Sequence, residues 1–253
     1  MNWILLRGLS RQAEHWGSFP QSLRTASNDM VIALDLPGFG KESHVSFSFS
    51  LQKNIDFLRS KCMPLLNTKK SSIIGLSFGG MLALEWLKLY PEDFSMGVII
   101  NSSASDICRV SERISKMGIY TIVRYLFSNT RKDKERQILN LTSNVHALNE
   151  MILQSWIQLE DQYPIKRLAV LKQLLVSGFF KAPSDLGVPL LFLGALNDRL
   201  VQSNCTLKLA EFYKSEVFLH PTAGHDLPLD APEWVIQQIL EFRNQCLKPS
   251  FSM

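Results

Sequence analysis

Short apolar runs alternate along this chain with longer amphipathic stretches. That is the pattern of a mainly parallel sheet with helices on both faces, an α/β fold. The runs predict strands over Trp3–Leu6, Val31–Asp35, Ser72–Leu76, Val98–Asn101, Leu190–Leu193 and Glu216–Leu219, about six in all. Most are apolar without alternation, as strands covered on both faces are. Pro189 opens the fifth, where a missing N–H is tolerated.

The spacing breaks once. About 90 residues separate Asn101 from Leu190, far more than one crossover helix needs. The stretch carries helical patterning in several pieces. Apolar faces are predicted from Ile119, Ile122, Val123, Leu126 and Phe127, from Met151, Ile152, Trp156 and Leu159, and from Leu168, Leu171, Leu174 and Leu175. We therefore expect a core of residues 1–105 and 183–253 with a helical lid, residues 106–182, inserted over the carboxyl ends of the strands. The tail Lys248–Met253 is expected to fray.

Composition narrows the function classes. A charged fraction of 20%, an apolar fraction of 46% and a net charge of +4 are ordinary globular values and argue against a nucleic-acid binder. No apolar run is long enough to span a bilayer, and Met1–Arg7 reads as a first buried strand rather than a secretory leader. Cys62, Cys108, Cys205 and Cys246 are scattered without a CxxC pair, which fits reduced thiols and a cytoplasmic protein, with two disulfides left open. Neither these cysteines nor the five histidines have metal-ligand spacing, so no metal and no cofactor is expected.

Gly75-Leu76-Ser77-Phe78-Gly79 is a G-x-S-x-G match between a predicted strand and a predicted helix over Phe78–Tyr90. That context is the one a nucleophile elbow requires: a turn so sharp that the serine hydroxyl projects from the sheet, with glycines where side chains would collide. A serine hydroxyl is a weak nucleophile and needs an imidazole base, itself oriented by a carboxylate. In this topology acid and base follow the serine on loops after later strands. Asp198 lies after the fifth strand and His225 after the sixth. Asp106, after the fourth strand, is the competing acid, and Asp226 reads as a loop-forming carboxylate.

These segments, together with Leu5-Leu6-Arg7-Gly8-Leu9 and Ala33-Leu34-Asp35-Leu36-Pro37-Gly38-Phe39-Gly40, resemble the α/β-hydrolase superfamily over nearly the whole chain. Within it the chain is most similar to small bacterial carboxylesterases, including the pimeloyl-carrier-protein methyl ester esterase. The resemblance implies an oxyanion hole from the backbone N–H groups of Leu9 and Phe78. One position departs from the pattern: Arg7 stands where relatives usually carry histidine. A permanently charged side chain there either takes a carboxylate partner or faces the substrate entrance.

The reading is a serine hydrolase that cleaves a small-molecule carboxylic ester or thioester through an acyl-enzyme. A C–C hydrolase, an acyltransferase, a triad-based lyase and a non-catalytic ligand-binding protein of the same fold stay open. Arg7, Trp16, Tyr120, Phe127 and Trp156 are candidate substrate contacts, although the last three equally suit the packing of the insertion itself. Between Asp106 and Ala182 lie twelve basic and seven acidic residues, so the chain's positive excess resides there. An acidic acyl carrier, a protein or coenzyme A, is one partner such a lid would suit; solvated helix faces are the other reading.

Overall fold

The computed structural model describes residues 1–67 and 70–247; the tail expected to fray lies outside them. Six strands among the described residues form one sheet: β1 (Asn2–Leu6), β2 (Met30–Leu34), β3 (Ser71–Leu76), β4 (Phe94–Ile100), β5 (Leu190–Ala195) and β6 (Glu216–His220). Their order is β2-β1-β3-β4-β5-β6 and every neighbouring pair is parallel. The chain runs outward from β1 to β2, then returns to β3 on the other side. The reversal opens a crevice at the carboxyl ends of β1 and β3, where ligands bind in open α/β sheets. Each predicted strand is present. β4 starts at Phe94, earlier than the predicted Val98: Ser95 and Gly97 interrupt its apolar run, but the strand continues to Phe94 past a register shift at Ser95.

Helices α1 (Phe19–Ser27), α2 (Leu51–Leu66) and α3 (Phe78–Leu89) precede β4. Between β4 and β5 come α4 (Val110–Arg113), α5 (Lys116–Phe127), α6 (Arg131–Thr142), α7 (Glu150–Gln162) and α8 (Arg167–Phe179). α9 (Ser203–Tyr213) joins β5 to β6, and α10 (Leu227–Asp230) and α11 (Pro232–Leu247) complete the chain. α3 ends at Leu89, one residue short of expectation, because the residue before Pro91 is steered out of helical conformation.

Alternation along the strands builds two cores. Trp3 and Leu5 of β1, with Ile74, Val98 and Leu191, pack on Phe19 and Leu23 of α1 and on Val235 and Ile239 of α11. Ile4 and Leu6 point the other way, with Ile73, Ile99 and Phe192, onto Ile55 and Leu58 of α2, Leu82 and Trp86 of α3, and Leu209 of α9. Each such buried side chain contributes about 1.5–3 kcal/mol relative to exposure.

The segment between β4 and β5 leaves and rejoins the core at one neck. Ser105 donates from its backbone N–H (2.7 Å) and its hydroxyl (2.8 Å) to the carbonyl of Phe180, and Asp106 Oδ1 accepts from the N–H of Ala182 (3.0 Å). The helices of this segment bury only part of the faces their apolar periodicity predicts: Trp156 is buried, and Ile122, Leu126, Ile152, Leu159 and Leu174 are half-buried. Ile119, Val123, Phe127, Met151, Leu168, Leu171 and Leu175 are exposed, whereas Thr121, Tyr125, Glu135, Trp156, Glu160, Val170 and Gln173 are buried. The reason is a buried charge. Arg11, from the loop after β1, reaches Glu135 of α6 through two bonds (2.5 and 3.2 Å), with the arginine 5% and the carboxylate 0% exposed, and its guanidinium also lies over the Trp156 ring. Helices packed around such a pair turn polar and aromatic residues inward.

Removing one partner of a buried, bidentate pair strands the other charge. Glu135→Ala is expected to lose about 3–5 kcal/mol in equilibrium urea unfolding, whereas Arg11→Met with Glu135→Leu stays close to wild type. A single-variant loss below about 1 kcal/mol would show that the pair does not hold the insertion to the core.

Candidate active site

Ser77 forms a one-residue corner between β3 and α3, with φ 57° and ψ −116°. The corner fits only because its neighbours lack side chains. A Cβ at Gly75 would lie 2.4 Å from the carbonyl oxygen of Gly79, and one at Gly79 would lie 2.1 Å from that of Leu6. Ser77 N–H donates to the carbonyl of Ile100 (2.7 Å), and the Ser102 hydroxyl donates to the Ser77 carbonyl (2.8 Å). The end of β4 thus clamps both sides of the turn. Across the crevice Gly8 is the neighbour: a Cβ there would lie 3.3 Å from the Ser77 Cβ and 3.8 Å from its Oγ. Phe78 is the first residue of α3, so its N–H has no acceptor within the helix, and the N–H of Leu9 has no backbone acceptor among the described residues.

His225 and Asp198 meet as predicted: Nδ1 of the histidine is 2.7 Å from Oδ2 of the aspartate, and the two side chains are 6% and 0% exposed. The other aspartate oxygen accepts from the backbone N–H groups of Leu200 (2.8 Å) and Val201 (3.0 Å), which fixes the carboxylate's orientation. With a carboxylate as acceptor, the ring proton belongs on Nδ1 and Nε2 is left as the basic nitrogen. The competing acid, Asp106, is exposed and engaged at the neck on Ala182.

One residue of this site has no signature in the sequence. Asn101, at the end of β4, adopts φ 46°. Its Nδ2 donates to the carbonyl of His225 (2.8 Å), and its Oδ1 accepts from the N–H of Ala195 (3.0 Å) at the base of the Asp198 loop. A single side-chain amide thereby joins the loops of Asp198 and His225. The insertion adds further ties. The carbonyl of Thr142 accepts from the N–H of Asp226 (2.7 Å), and Asn144 donates to the carbonyls of Asn197 (3.0 Å) and Thr222 (3.1 Å).

Ser77 and His225 open on one cavity of about 450 Å³ between the strand ends and the insertion. Its walls are mostly apolar: Leu76, Met81, Ile122, Ile138, Leu141, Trp156, Val170 and Leu174 contribute. Trp156 therefore lies where expected. Tyr120 and Phe127 do not: they are 60% and 78% exposed, on the outer face of α5, whose inner side offers Ile122 and Tyr125 instead. Trp16 is buried behind the wall, stacked on Phe19. Arg7 borders the cavity, but its fork is occupied by both oxygens of Asp226 (3.0 and 2.6 Å) and its guanidinium lies over Trp16. Of the two roles expected for Arg7, its charge serves the ion pair, and Asp226 proves to be its partner. Nearby His15 is held well below its ordinary pKa, first by burial and then by Arg11 and Arg7, so it stands as a neutral imidazole. Among the described residues no group of three or more His, Cys, Asp or Glu side chains is arranged to hold a metal ion, and no helix is long and apolar enough to cross a membrane. All four cysteines are free.

The chain belongs to the alpha/beta hydrolase family, whose model matches residues 3–238. It is 24% identical over 247 residues to a 2-hydroxy-6-oxo-6-(2'-aminophenyl)hexa-2,4-dienoic acid hydrolase of Metapseudomonas resinovorans, covering 94% of this chain and 82% of that protein. It is 33% identical over 96 residues to abhydrolase domain-containing protein abhd-5.2 of Caenorhabditis elegans, 35% of this chain but only 20% of that protein's length. The structure of esterase RhEst1 from Rhodococcus sp. ECU1013 superposes with a TM-score of 0.78 at 16% identity, covering 97% of this chain and 91% of that one.

Asn101→Ala would orphan the N–H of Ala195 and the carbonyl of His225, at about 1–3 kcal/mol for a buried unsatisfied group. We expect a corresponding drop in thermal stability, with far-UV circular dichroism unchanged. A melting curve that overlays the wild type would show that the amide does not hold the two loops.

Proposed function

We propose that this protein is a serine hydrolase that cleaves a carboxylic ester or thioester, with Ser77 as nucleophile, His225 as base and Asp198 as its orienting acid. The observation that carries the reading is the buried 2.7 Å contact of His225 with Asp198 on the same cavity as a serine at φ 57°. A buried carboxylate holding a histidine of fixed tautomer beside a sterically strained serine is arrangement for proton transfer rather than for packing.

In this mechanism His225 Nε2 removes the hydroxyl proton as Ser77 Oγ adds to the substrate carbonyl. The oxyanion forms against the N–H groups of Phe78, which follows the nucleophile, and of Leu9, which follows Gly8 beside it. His225 then returns the proton to the departing alcohol or thiol, leaving an acyl group on Ser77. Water, activated by the same imidazole, releases the acid. The helices between β4 and β5 act as a lid: they wall the cavity, and their apolar residues suit a hydrocarbon acyl or alcohol portion.

C–C bond hydrolysis is the second reading, supported by the 24% identity to the dienoic acid hydrolase. It would use the same serine, imidazole and oxyanion donors on a ketone. An acidic acyl carrier is not part of the proposal. Arg131, Lys134 and Arg136 of the insertion are engaged with Asp161, Glu160 and Glu150, and Lys166 and Lys172 bond the backbone of Ser43 and Phe47.

Hydrolysis of p-nitrophenyl esters with acyl chains from two to twelve carbons tests the proposal. Turnover is expected to fall by about 10⁴–10⁶ in Ser77→Ala, and by about 10³–10⁴ in Asp198→Asn, which misorients the imidazole. Turnover that survives in Ser77→Ala would overturn the assignment of the nucleophile. Loss of a dienoate chromophore without ester turnover would favour the C–C reading.

A further inference from the structure

The charges that border the cavity cancel, with one exception. Arg7 is matched by Asp226 and Arg11 by Glu135. Arg113, the last residue of α4, also borders the cavity, is half-buried, and has no carboxylate within ion-pair distance among the described residues. Its Nε donates to the hydroxyl of Ser103 (3.2 Å), Nη1 to the carbonyl of Gly178 (2.8 Å) and Nη2 to the carbonyl of Ser177 (2.5 Å). All three acceptors are neutral. A guanidinium carries five N–H donors, so two remain without a protein acceptor. Asp106 bears on the charge only from a distance and is itself engaged at the neck. Burial is the largest influence on Arg113 and lowers its pKa, with the Cys108 and Cys205 side chains and then Asp106 opposing it to a lesser degree.

Two features give this charge a direction. Ser103 adjoins Ser102, whose hydroxyl clamps Ser77, so the guanidinium is tied to the strand end that holds the nucleophile. The surrounding wall is otherwise apolar, including Val110 and Ile114 on α4 and Leu174 and Phe179 on α8. Binding the last carbonyls of α8 and the Ser103 hydroxyl accounts for three donors, but neutral donors would satisfy those acceptors. It does not account for a desolvated positive charge.

We propose that Arg113 is a substrate-binding residue that receives an anionic carboxylate on the substrate, so that the preferred substrate is an ester or thioester bearing a second, free carboxylate. The proposal rests on the hydrolase reading above and names the substrate class it acts on. The carboxylate accepts the two remaining N–H groups, supplies the missing counter-charge, and leaves the hydrocarbon between the two ends on the apolar wall.

The test compares kcat/KM for the mono-p-nitrophenyl ester of adipic acid with that for p-nitrophenyl hexanoate, equal in chain length but neutral. The wild type is expected to favour the half-ester by about tenfold or more, mainly through KM, and Arg113→Gln to bring that ratio to about one. Arg113→Lys retains part of the preference. A wild type that favours the hexanoate, or a glutamine variant that slows both esters equally, would overturn the proposal and leave Arg113 a structural clasp. Calorimetric titration of Ser77→Ala with adipate reads the site without catalysis. Binding that disappears in the Ser77→Ala, Arg113→Gln double variant, with no ester turned over by wild type, would overturn the hydrolase reading and keep the anion site. Ester turnover with neither preference nor adipate binding would do the reverse.

Discussion

At Ser77 the chain passes from strand to helix in one residue, in a backbone conformation that costs an L-residue about 1–3 kcal/mol. The rest of the site is organised to hold that turn. The end of β4 takes its N–H through Ile100 and its carbonyl through Ser102, and glycines at 75 and 79 remove the atoms that would collide with it. The same strand end, one residue on from Ile100, presents Asn101 to the loops of Asp198 and His225. Three consecutive residues therefore fix Ser77 and the loops of Asp198 and His225 against each other. Groups from three connections are thus held by one strand end rather than by the loops themselves.

The second layer of organisation is electrostatic. Arg7 and Arg11 emerge from the loop after β1 and are buried against Asp226 and Glu135, one on the histidine loop and the other on the insertion. Desolvating such charges is expensive, and apolar replacements of equal volume stabilise a fold as well or better. What the pairs add is direction. A bidentate fork holds its carboxylate in one orientation, so each arginine sets where the histidine loop or the insertion sits relative to the loop after β1. The neutral His15, wedged edge-on against Trp156 and accepting from the N–H of Gln12, completes that junction.

The strands, the Ser77 turn and the placement of Asp198 and His225 after the fifth and sixth strands were legible in the sequence because each is a local feature with a steric or topological rule behind it. A continuous apolar run, a G-x-S-x-G corner and a polar loop after a strand all carry their meaning in neighbouring residues. What was not legible depends on residues far apart. Arg7 and Asp226 are separated by 219 positions and Arg11 and Glu135 by 124. Nothing local marks Asn101 as a bracket between two loops. The insertion misled for a related reason. Its helices are apolar on more than one side, so periodicity identified them as helices without fixing which face turns inward. The buried Glu135 decided that, drawing polar and aromatic residues in and leaving Phe127, Met151 and Leu168 outside.

The insertion is part of the site and not merely its cover. Thr142 accepts from the N–H that follows His225, Asn144 binds both the acid and the base loops, and Arg199, next to Asp198, donates to the carbonyl of Ser143. Lifting these helices away as one body would therefore strip the histidine loop of the bonds that position it. The opposite side of the insertion is built differently. There α4 and the end of α8 meet the cavity with side chains that are also exposed, Val110 at 75% and Phe179 at 80%, and their junction is held by Arg113 alone among the ties described. The cavity thus has one wall bonded to the loops of Asp198 and His225 and another that faces solvent through apolar residues around Arg113. A ligand with a hydrocarbon body can enter along that second wall while the bonds that hold the Asp198 and His225 loops remain intact.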